Sequence, residues 1–203
     1  MIDRCRRTGM KWKIMGGVPL FSMLMLAAAC SQHRGSETTF FDPNMDFGLI
    51  QSVVVLPFDD VSKSAKAGET ARDVFMTTLQ AKVDLYVIPP GEIQRAIART
   101  EPQNPMVPTE EEVVKLATNL EADVVITGTV LEYGQLRSGS ASSNVCSLSV
   151  KMFEGQTGRV VWSALATRGG VSAGDRLVGS GGQPMNVVIS RAVEDLVDRL
   201  FQQ

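Results

Sequence analysis

The sequence predicts an α/β fold, in which a mixed β-sheet is covered by helices in the order β-α-β-α-α-β-β-β-α. A continuous apolar run at residues 52–58 is typical of a central strand buried on both faces, and residues 122–130 form the clearest strand. Segments with helical periodicity separate these two strands, which favours parallel strands joined by crossovers. A pair of alternating segments over residues 145–167 then adds an antiparallel hairpin.

The first half of the domain alternates strands with helices. Residues 52–58 form the first strand, and Pro57 is expected at its end because proline cannot donate to a sheet ladder. Residues 68–83 place apolar side chains on one face at helical spacing. A short strand at residues 85–88 is stopped by two prolines, and residues 92–99 form a short helix.

A capping box opens the third predicted helix. Thr109 occupies the N-cap position, and Glu112 follows three residues later, where its side chain can reach back to the N-cap backbone. The neighbouring glutamates also suit the positive end of the helix dipole. Three consecutive glutamates could instead mark a metal site or an acid/base site, but capping explains them without a further assumption.

The second half predicts three strands and a closing helix. Residues 122–130 form the clearest strand, and a polar linker rich in Ser and Gly occupies residues 138–144. Alternating apolar and polar residues predict a half-buried strand at residues 145–153 and its return strand at residues 159–167. Residues 184–201 then form a helix with an apolar stripe.

The domain lacks most residue types that carry catalysis. The chain's single histidine, His33, precedes the domain, which excludes Ser-His-Asp and Cys-His sites and most zinc sites. Cys146 alternates with apolar residues and is expected to be a buried core thiol. Asp59, Asp60 and Asp123 are the remaining candidates for carboxylate chemistry, but we expect the first two to end a strand and solvate a turn. The sequence therefore predicts no catalytic residue and no metal ligand.

The leader predicts export followed by lipidation. A basic segment precedes an apolar run of about thirteen residues, 14–26, which is too short to span a bilayer and typical of a signal peptide. Three alanines then precede Cys30, which resembles the bacterial lipobox. That resemblance implies that signal peptidase II cuts between Ala29 and Cys30 and that Cys30 receives a covalent lipid. No other cofactor is expected.

Alternatives to this reading of the leader stay open. An ordinary secretory signal cut after Ala29, or an uncleaved anchor, would give a different N-terminus. The lipobox prefers leucine three residues before the cysteine, where this chain has Ala27. The start codon is either Met1 or Met10. Ser31 follows the cysteine in place of the aspartate that retains enterobacterial lipoproteins in the inner membrane, so the outer membrane is predicted, with the domain facing the periplasm.

Charge and length divide the chain of 203 residues into three predicted parts. Residues 1–29 are the lipoprotein signal peptide, residues 30–49 are the lipidated cysteine and a polar tether with an apolar edge, and residues 50–203 are the α/β domain. Five of the 20 basic residues but only one of the 22 acidic residues precede Cys30, so the remainder carries a net charge of about −6. An acidic domain without a basic stripe is a poor partner for nucleic acid or for electrostatic docking on anionic lipid.

Three segments resemble strands of one bacterial family. Residues 53–59 (VVVLPFD) resemble its V-x-V-L-P-F-x strand, and residues 121–130 resemble its G-A-D-x-V-I-x-G-x-V strand, with Glu121 replacing the usual glycine. Residues 150–163 resemble its V-x-L-x-D-x-x-T-G-x-V-x-W-S hairpin. These motifs belong to the curli-secretion lipoprotein superfamily, which also includes penicillin-binding-protein activators, the amino-terminal domain of the Tol-system propeller protein and small outer-membrane lipoproteins of unknown role. The chain is most similar to that last group.

The resemblance implies a membrane-anchored, non-catalytic interaction or assembly module of the cell envelope, with an envelope protein as its partner and the oligomeric state open. One alternative is a pore or secretion subunit of the curli type, which must donate two membrane-spanning hairpins with strands of about 9–11 residues. Each such hairpin needs at least about 20 residues. The predicted loops at residues 134–144 and 169–183 are shorter and lack alternating apolar bands. The other alternative is a carboxylate-dependent envelope enzyme.

Overall fold

The structure, a computed structural model, describes residues 38–138, 141–170 and 182–201. Along these residues seven strands and four α-helices confirm the predicted α/β class and its mixed sheet. The elements in chain order are β1 (Thr38–Phe41), β2 (Ser52–Val55), β3 (Asp59–Asp60), α1 (Ala67–Lys82), β4 (Tyr86–Val87), α2 (Pro90–Thr100), α3 (Glu110–Leu120), β5 (Val124–Ser138), β6 (Ala141–Glu154), β7 (Val160–Gly169) and α4 (Met185–Phe201).

The sheet has a parallel half and an antiparallel half that share β5. Its strand order is β1-β7-β6-β5-β2-β4, and β3 also pairs with β5. In the parallel half, β2 pairs with β4 and β5, and β3 continues along β5. In the antiparallel half, β5, β6, β7 and β1 follow one another as antiparallel neighbours.

Helices cover both faces of the parallel half. Val53 and Val55 of β2 pack in the apolar cluster formed with α1 and α4, whereas Val54 and Leu56 pack in a second cluster with α2 and α3. None of these side chains is exposed to solvent. A strand between two helical layers must be apolar at every position, which explains the unbroken run seen in the sequence.

The antiparallel half is apolar on one face and polar on the other. Leu148, Val150 and Met152 of β6 are fully buried in the cluster that contains α4. The residues that alternate with them are polar, and Lys151 is exposed at the centre of the sheet. Opposite faces therefore carry opposite chemistry, as the alternation predicted for residues 145–153. Near the end of β6, the side chain of Phe153 is partly buried and packs against the cluster formed with α2 and α3.

Proline divides the first predicted strand into two. β2 ends at Val55, the N–H of Leu56 still donates to the carbonyl of Ile126 at 2.9 Å, and Pro57 then has no N–H to offer. The chain rejoins β5 two residues later as β3, with Asp59 opposite Thr129. The expectation that Asp59 and Asp60 end the strand is therefore wrong, because they form a second short one.

The predicted polar linker at residues 138–144 is also wrong. β5 and β6 remain paired from Val124 opposite Glu154 to Ser138 opposite Ala141, so residues 135–138 and 141–144 are the outer part of one long hairpin. In this outer part Leu136 and Arg137 are exposed to solvent, whereas Ser143 is buried. Its residues are mostly polar and lack the apolar alternation from which a strand is recognised.

The capping box at the start of α3 is confirmed. The side chain of Thr109 accepts a hydrogen bond from the N–H of Glu112, and Glu112 Oε2 accepts one from the N–H of Thr109 at 2.8 Å. The other oxygen of Glu112 accepts from the N–H of Gln103 at 2.8 Å, which fastens the preceding loop to the helix. These donors, the Thr109 N–H first, lower the pKa of Glu112.

An ion-pair cluster attaches α4 to the antiparallel half. Asp195 lies 2.7 Å from the guanidinium of Arg168 on β7 and also contacts Arg199 one turn along its own helix. Arg199 donates to the carbonyl of Leu165 at 3.0 Å.

No helix among the described residues is long and apolar enough to cross a membrane.

Candidate functional site

The structure does not bring the three candidate carboxylates together. Asp59 and Asp60 form β3, whereas Asp123 lies just before β5 begins. Asp59 stands opposite Thr129, which is six residues beyond Asp123 on the same strand. At about 3.3 Å per residue, the two positions are roughly 20 Å apart. Paired acid/base work needs carboxylates on either side of one substrate bond, so this arrangement does not suit it.

Asp123 is fully engaged in the fold. Its Oδ2 accepts hydrogen bonds from the N–H of Gln51 at 2.8 Å, from the N–H of Ser52 at 2.9 Å and from the Ser52 hydroxyl at 2.9 Å. Ser52 Oγ in turn accepts from the N–H of Asp123 at 3.0 Å. The Gln51 N–H, followed by those of Ser52, lowers the pKa of Asp123. This carboxylate holds the starts of β2 and β5 side by side.

Asp59 and Asp60 bond to their immediate neighbours. Asp59 Oδ1 accepts from the N–H of Asp60 at 2.9 Å, and Asp60 Oδ1 accepts from the N–H and the hydroxyl of Ser62 at 2.9 Å and 2.6 Å. Both carboxylates therefore shape the turn that leads into α1. That part of the prediction, in which they serve the turn, is confirmed.

Cys146 is a core thiol, as predicted. It has no exposed surface and pairs across the hairpin with Tyr133. Burial raises the pKa of the Cys146 thiol to about 12, so the reactive thiolate is scarce at neutral pH. Within residues 38–138, 141–170 and 182–201, no three His, Cys, Asp or Glu side chains converge as a metal-binding group.

The predicted lipidation site lies outside the described residues. Ala29, Cys30 and His33 all precede Thr38, so the cleavage site and the acylated cysteine stay predictions. The division of the chain at residues 29 and 49 is also a prediction.

A groove at one end of the sheet is the candidate functional site. Residues 42–50 fold back against the end where β5 begins and β6 finishes, and they leave an open groove of about 330 Å³. We call this feature the end groove. Its lining residues are Asn44, Met45, Asp46, Leu49, Ile50, Ala122, Asp123, Glu154 and Gln156.

Short-range hydrogen bonds shape the turn that forms one wall of the end groove. Asp42 Oδ1 accepts from the N–H of Asn44 at 2.9 Å and from its side-chain amide at 3.0 Å, and the Asn44 N–H is the main cause that lowers the pKa of Asp42. Asp46 then caps a single 3-10 turn, Phe47–Leu49, by accepting from the N–H of Gly48 at 3.0 Å. The turn leaves Leu49 73% exposed.

The end groove combines acidic and apolar groups. Carboxylates of Asp46, Asp123 and Glu154 line it, and the exposed side chain of Leu49 stands beside them. The three hydrogen bonds to Asp123 all reach Oδ2, and Asp46 and Glu154 also accept hydrogen bonds within the fold. The three carboxylates together give the groove the negative charge that can meet a cation. This combination suits binding of a basic, partly apolar segment better than it suits bond making.

Sequence reasoning missed the end groove because its walls are far apart in the chain. Residues 42–50 meet Asp123 and Glu154 only after the sheet has formed. The sequence predicted a polar tether with an apolar edge over residues 30–49. The available local signal was a polar turn, Asp42 to Asn44, followed by an apolar residue before a buried strand.

Comparison with known proteins indicates the fold. No family model and no curated protein matches the chain. The PelC dodecamer structure from Paraburkholderia phytofirmans is similar with a TM-score of 0.53 at 18% identity, covering 83% of this chain and 98% of that one. Lipoprotein GNA1162 from Neisseria meningitidis gives a TM-score of 0.54 at 18% identity, covering 75% and 99%. The hypothetical protein CT253 from Chlamydia trachomatis gives 0.51 at 18%, covering 74% and 95%.

Proposed function

We propose that the chain is an outer-membrane lipoprotein whose α/β domain faces the periplasm and acts as a non-catalytic interaction or assembly module of the cell envelope. The observation that carries the proposal is the end groove, where an exposed leucine stands among carboxylates that no reaction centre uses. A similar fold in lipoprotein GNA1162 supports the envelope assignment. The leader and Cys30 supply the anchor, since a diacylated or triacylated cysteine holds a domain stably at a membrane.

The positions of the candidate catalytic groups favour binding over catalysis. Asp123 accepts three hydrogen bonds through Oδ2, Asp59 and Asp60 serve a turn, and Cys146 is buried in the core. The end groove, in contrast, leaves the side chain of Leu49 73% exposed among carboxylates at the surface. We therefore place the partner surface there and assign the partner as an envelope protein that offers a basic, partly apolar segment.

The anchor is tested by blocking lipidation. Cys30→Ala, or globomycin treatment of the unsubstituted protein, is expected to leave a larger, unprocessed or soluble species, because signal peptidase II requires the lipidated cysteine. Membrane fractionation and gel mobility measure the result. Unchanged processing and unchanged fractionation in both experiments would remove the lipoprotein assignment.

The partner surface is tested by a charge on the end groove. Leu49→Lys places a positive charge in the end groove, where it repels a basic segment, and we expect it to abolish site-specific photocrosslinking from a probe at Gln156 in native membranes. Val61→Lys is the matched control, because Val61 is also an exposed apolar residue, at 53% exposure, away from this end of the sheet. Equal crosslinking in both variants would place the partner elsewhere.

Self-association is a second candidate role. The similar PelC structure is a dodecamer, so assembly into a larger oligomer is compatible with a fold of this kind. Light scattering of the detergent-extracted protein measures its mass directly. A monomer at micromolar concentration would leave the end groove as the proposed binding surface.

A further inference from the structure

The direction of β1 fixes which end of the domain lies nearest to the tether. β1 pairs with β7 from Thr38 opposite Leu165 to Phe41 opposite Trp162, and the chain then enters the turn of the end groove. The N-terminal end of β1 therefore points away from the end groove. Along the sheet, that is the direction in which the β5–β6 hairpin extends, since Leu165 lies opposite Ser149 and β6 begins at Ala141.

The hairpin reaches far beyond its neighbour. β7 ends at Gly169 opposite Val145, whereas β5 and β6 stay paired for four further residue pairs, out to Ser138 opposite Ala141. From the level of Thr38, which is also the level of Ser149, the end of the paired hairpin is eight residues away. At about 3.3 Å per residue, that distance is roughly 26 Å.

The tether and the hairpin have similar lengths. Eight residue steps separate Cys30 from Thr38, and a fully extended chain of that length spans at most about 29 Å. A flexible chain of eight residues has a typical end-to-end distance of only about 16 Å, which is less than the reach of the hairpin. A lipid on Cys30 therefore holds Thr38 close enough to the membrane for a hairpin that points toward the membrane to reach the headgroups.

The composition of the hairpin suits a lipid headgroup layer. Residues 133–153 contain no Asp or Glu, although the chain from Cys30 onward carries a net charge of about −6. In the outer part, Leu136 is 48% exposed and Arg137 is exposed beside it. An exposed leucine and an arginine are side chains that insert at, and pair with, the headgroup region.

We propose that the outer β5–β6 hairpin, at Leu136 and Arg137, rests on the headgroups of the membrane that holds the lipid of Cys30, so that the end groove faces away from that membrane. The inference rests on the proposed lipid anchor. It adds an orientation: the lipid supplies the binding energy, and the hairpin sets the height and tilt of the domain. The partner is then met at the side of the domain remote from the membrane.

Depth-dependent fluorescence quenching tests the orientation. The full, lipidated protein is reconstituted in vesicles of phosphatidylethanolamine and phosphatidylglycerol (3:1) that contain a headgroup spin label. A fluorophore is attached at Leu136→Cys or, as the matched control, at Leu49→Cys, and buried Cys146 stays unlabelled. We expect at least about threefold stronger quenching at position 136 than at position 49. Equal quenching at the two positions, or stronger quenching at position 49, overturns the proposal.

A longer tether tests whether the short tether is what holds the hairpin at the membrane. Insertion of twelve Gly and Ser residues after Ser36 frees the hairpin from the surface, so quenching at position 136 is expected to fall toward the value at position 49. Unchanged quenching would overturn the role given to tether length. Vesicle flotation separates this result from a failure of the anchor: protein that does not float refutes the lipid on Cys30, whereas protein that floats without the expected quenching refutes only the orientation.

Discussion

The parallel and antiparallel halves share one strand but use it in different ways. Val125 of β5 packs under α2 and α3, whereas Thr129, four residues later on the same side of the strand, lies in a polar surface. The parallel half is closed by helices on both faces, and the antiparallel half is closed on one. Tolerance to polar substitution in this domain therefore depends on which half and which face of the sheet a residue occupies, and not on whether it lies in the centre of the sheet.

Two lysine substitutions, one between the helical layers and one on the polar face, test this comparison and give the largest expected difference in stability. Val125→Lys buries an unpaired charge between β5 and α3, and we expect it to cost at least about 4 kcal/mol or to prevent folding. Ser149→Lys places the same side chain on the polar face, beside natural Lys151, and should cost about 1 kcal/mol or less. Chemical denaturation followed by circular dichroism measures both. Similar losses in the two variants would show that the polar face is covered as well.

A half-buried cation extends the comparison to the edge of the parallel half. Arg72 of α1 donates to the carbonyl of Val55 from Nε at 3.0 Å and from a terminal nitrogen at 2.8 Å, at the point where β2 stops. Arg72→Met leaves that carbonyl without these donors and should cost about 1–3 kcal/mol. Arg95→Met on α2 is the control, since Arg95 is exposed. Equal midpoints of denaturation for both variants would contradict this role.

Acid should weaken the contact between the starts of β2 and β5, which the carboxylate of Asp123 holds together. The pKa of Asp123 is lower in the folded protein than in the unfolded chain, so its contribution to stability is complete above a pH of about 4 and is lost as pH falls through the folded pKa. At neutral pH we expect Asp123→Asn to lower the free energy of unfolding by about 1 kcal/mol, a value that solvent screening keeps small. When the pH then falls below 4, the variant should lose less further stability than the unsubstituted protein. If the free energies of unfolding of the two proteins changed equally with pH, this role of Asp123 would be refuted.

Thiol labelling gives the smallest effect and tests the closed face of the antiparallel half. Cys146 is buried under α4 and its pKa is raised to about 12, so native protein should not react there at pH 8 within hours. A thiol introduced by Ser149→Cys, three residues along the strand on the polar face, should react within minutes. Peptide mass spectrometry locates the label. Rapid labelling at Cys146 would mean that α4 opens readily.

The sequence predicts those features that rest on local chemistry or on strong patterns. The capping box needs only Thr109 and Glu112 at the right spacing, and the double-sided burial of β2 follows from its unbroken valines. β1 escaped prediction because Thr38–Phe41 is short and obtains its partner from β7, more than 120 residues away. The outer hairpin escaped because its residues serve no core, and the end groove because its walls meet only in the folded sheet.

β1 also determines how the domain responds to pulling. Tension along the tether enters at Thr38 and acts along the strand, parallel to β7. Backbone hydrogen bonds loaded in this direction share the force and must slide together, whereas bonds loaded at one end open in succession. Phe41 in edge-to-face contact with Trp162, at 6.5 Å between ring centres, and Arg199 bonded to Thr39 add to the resistance. The four residues of β1 thus act as a shear joint between the domain and its point of attachment.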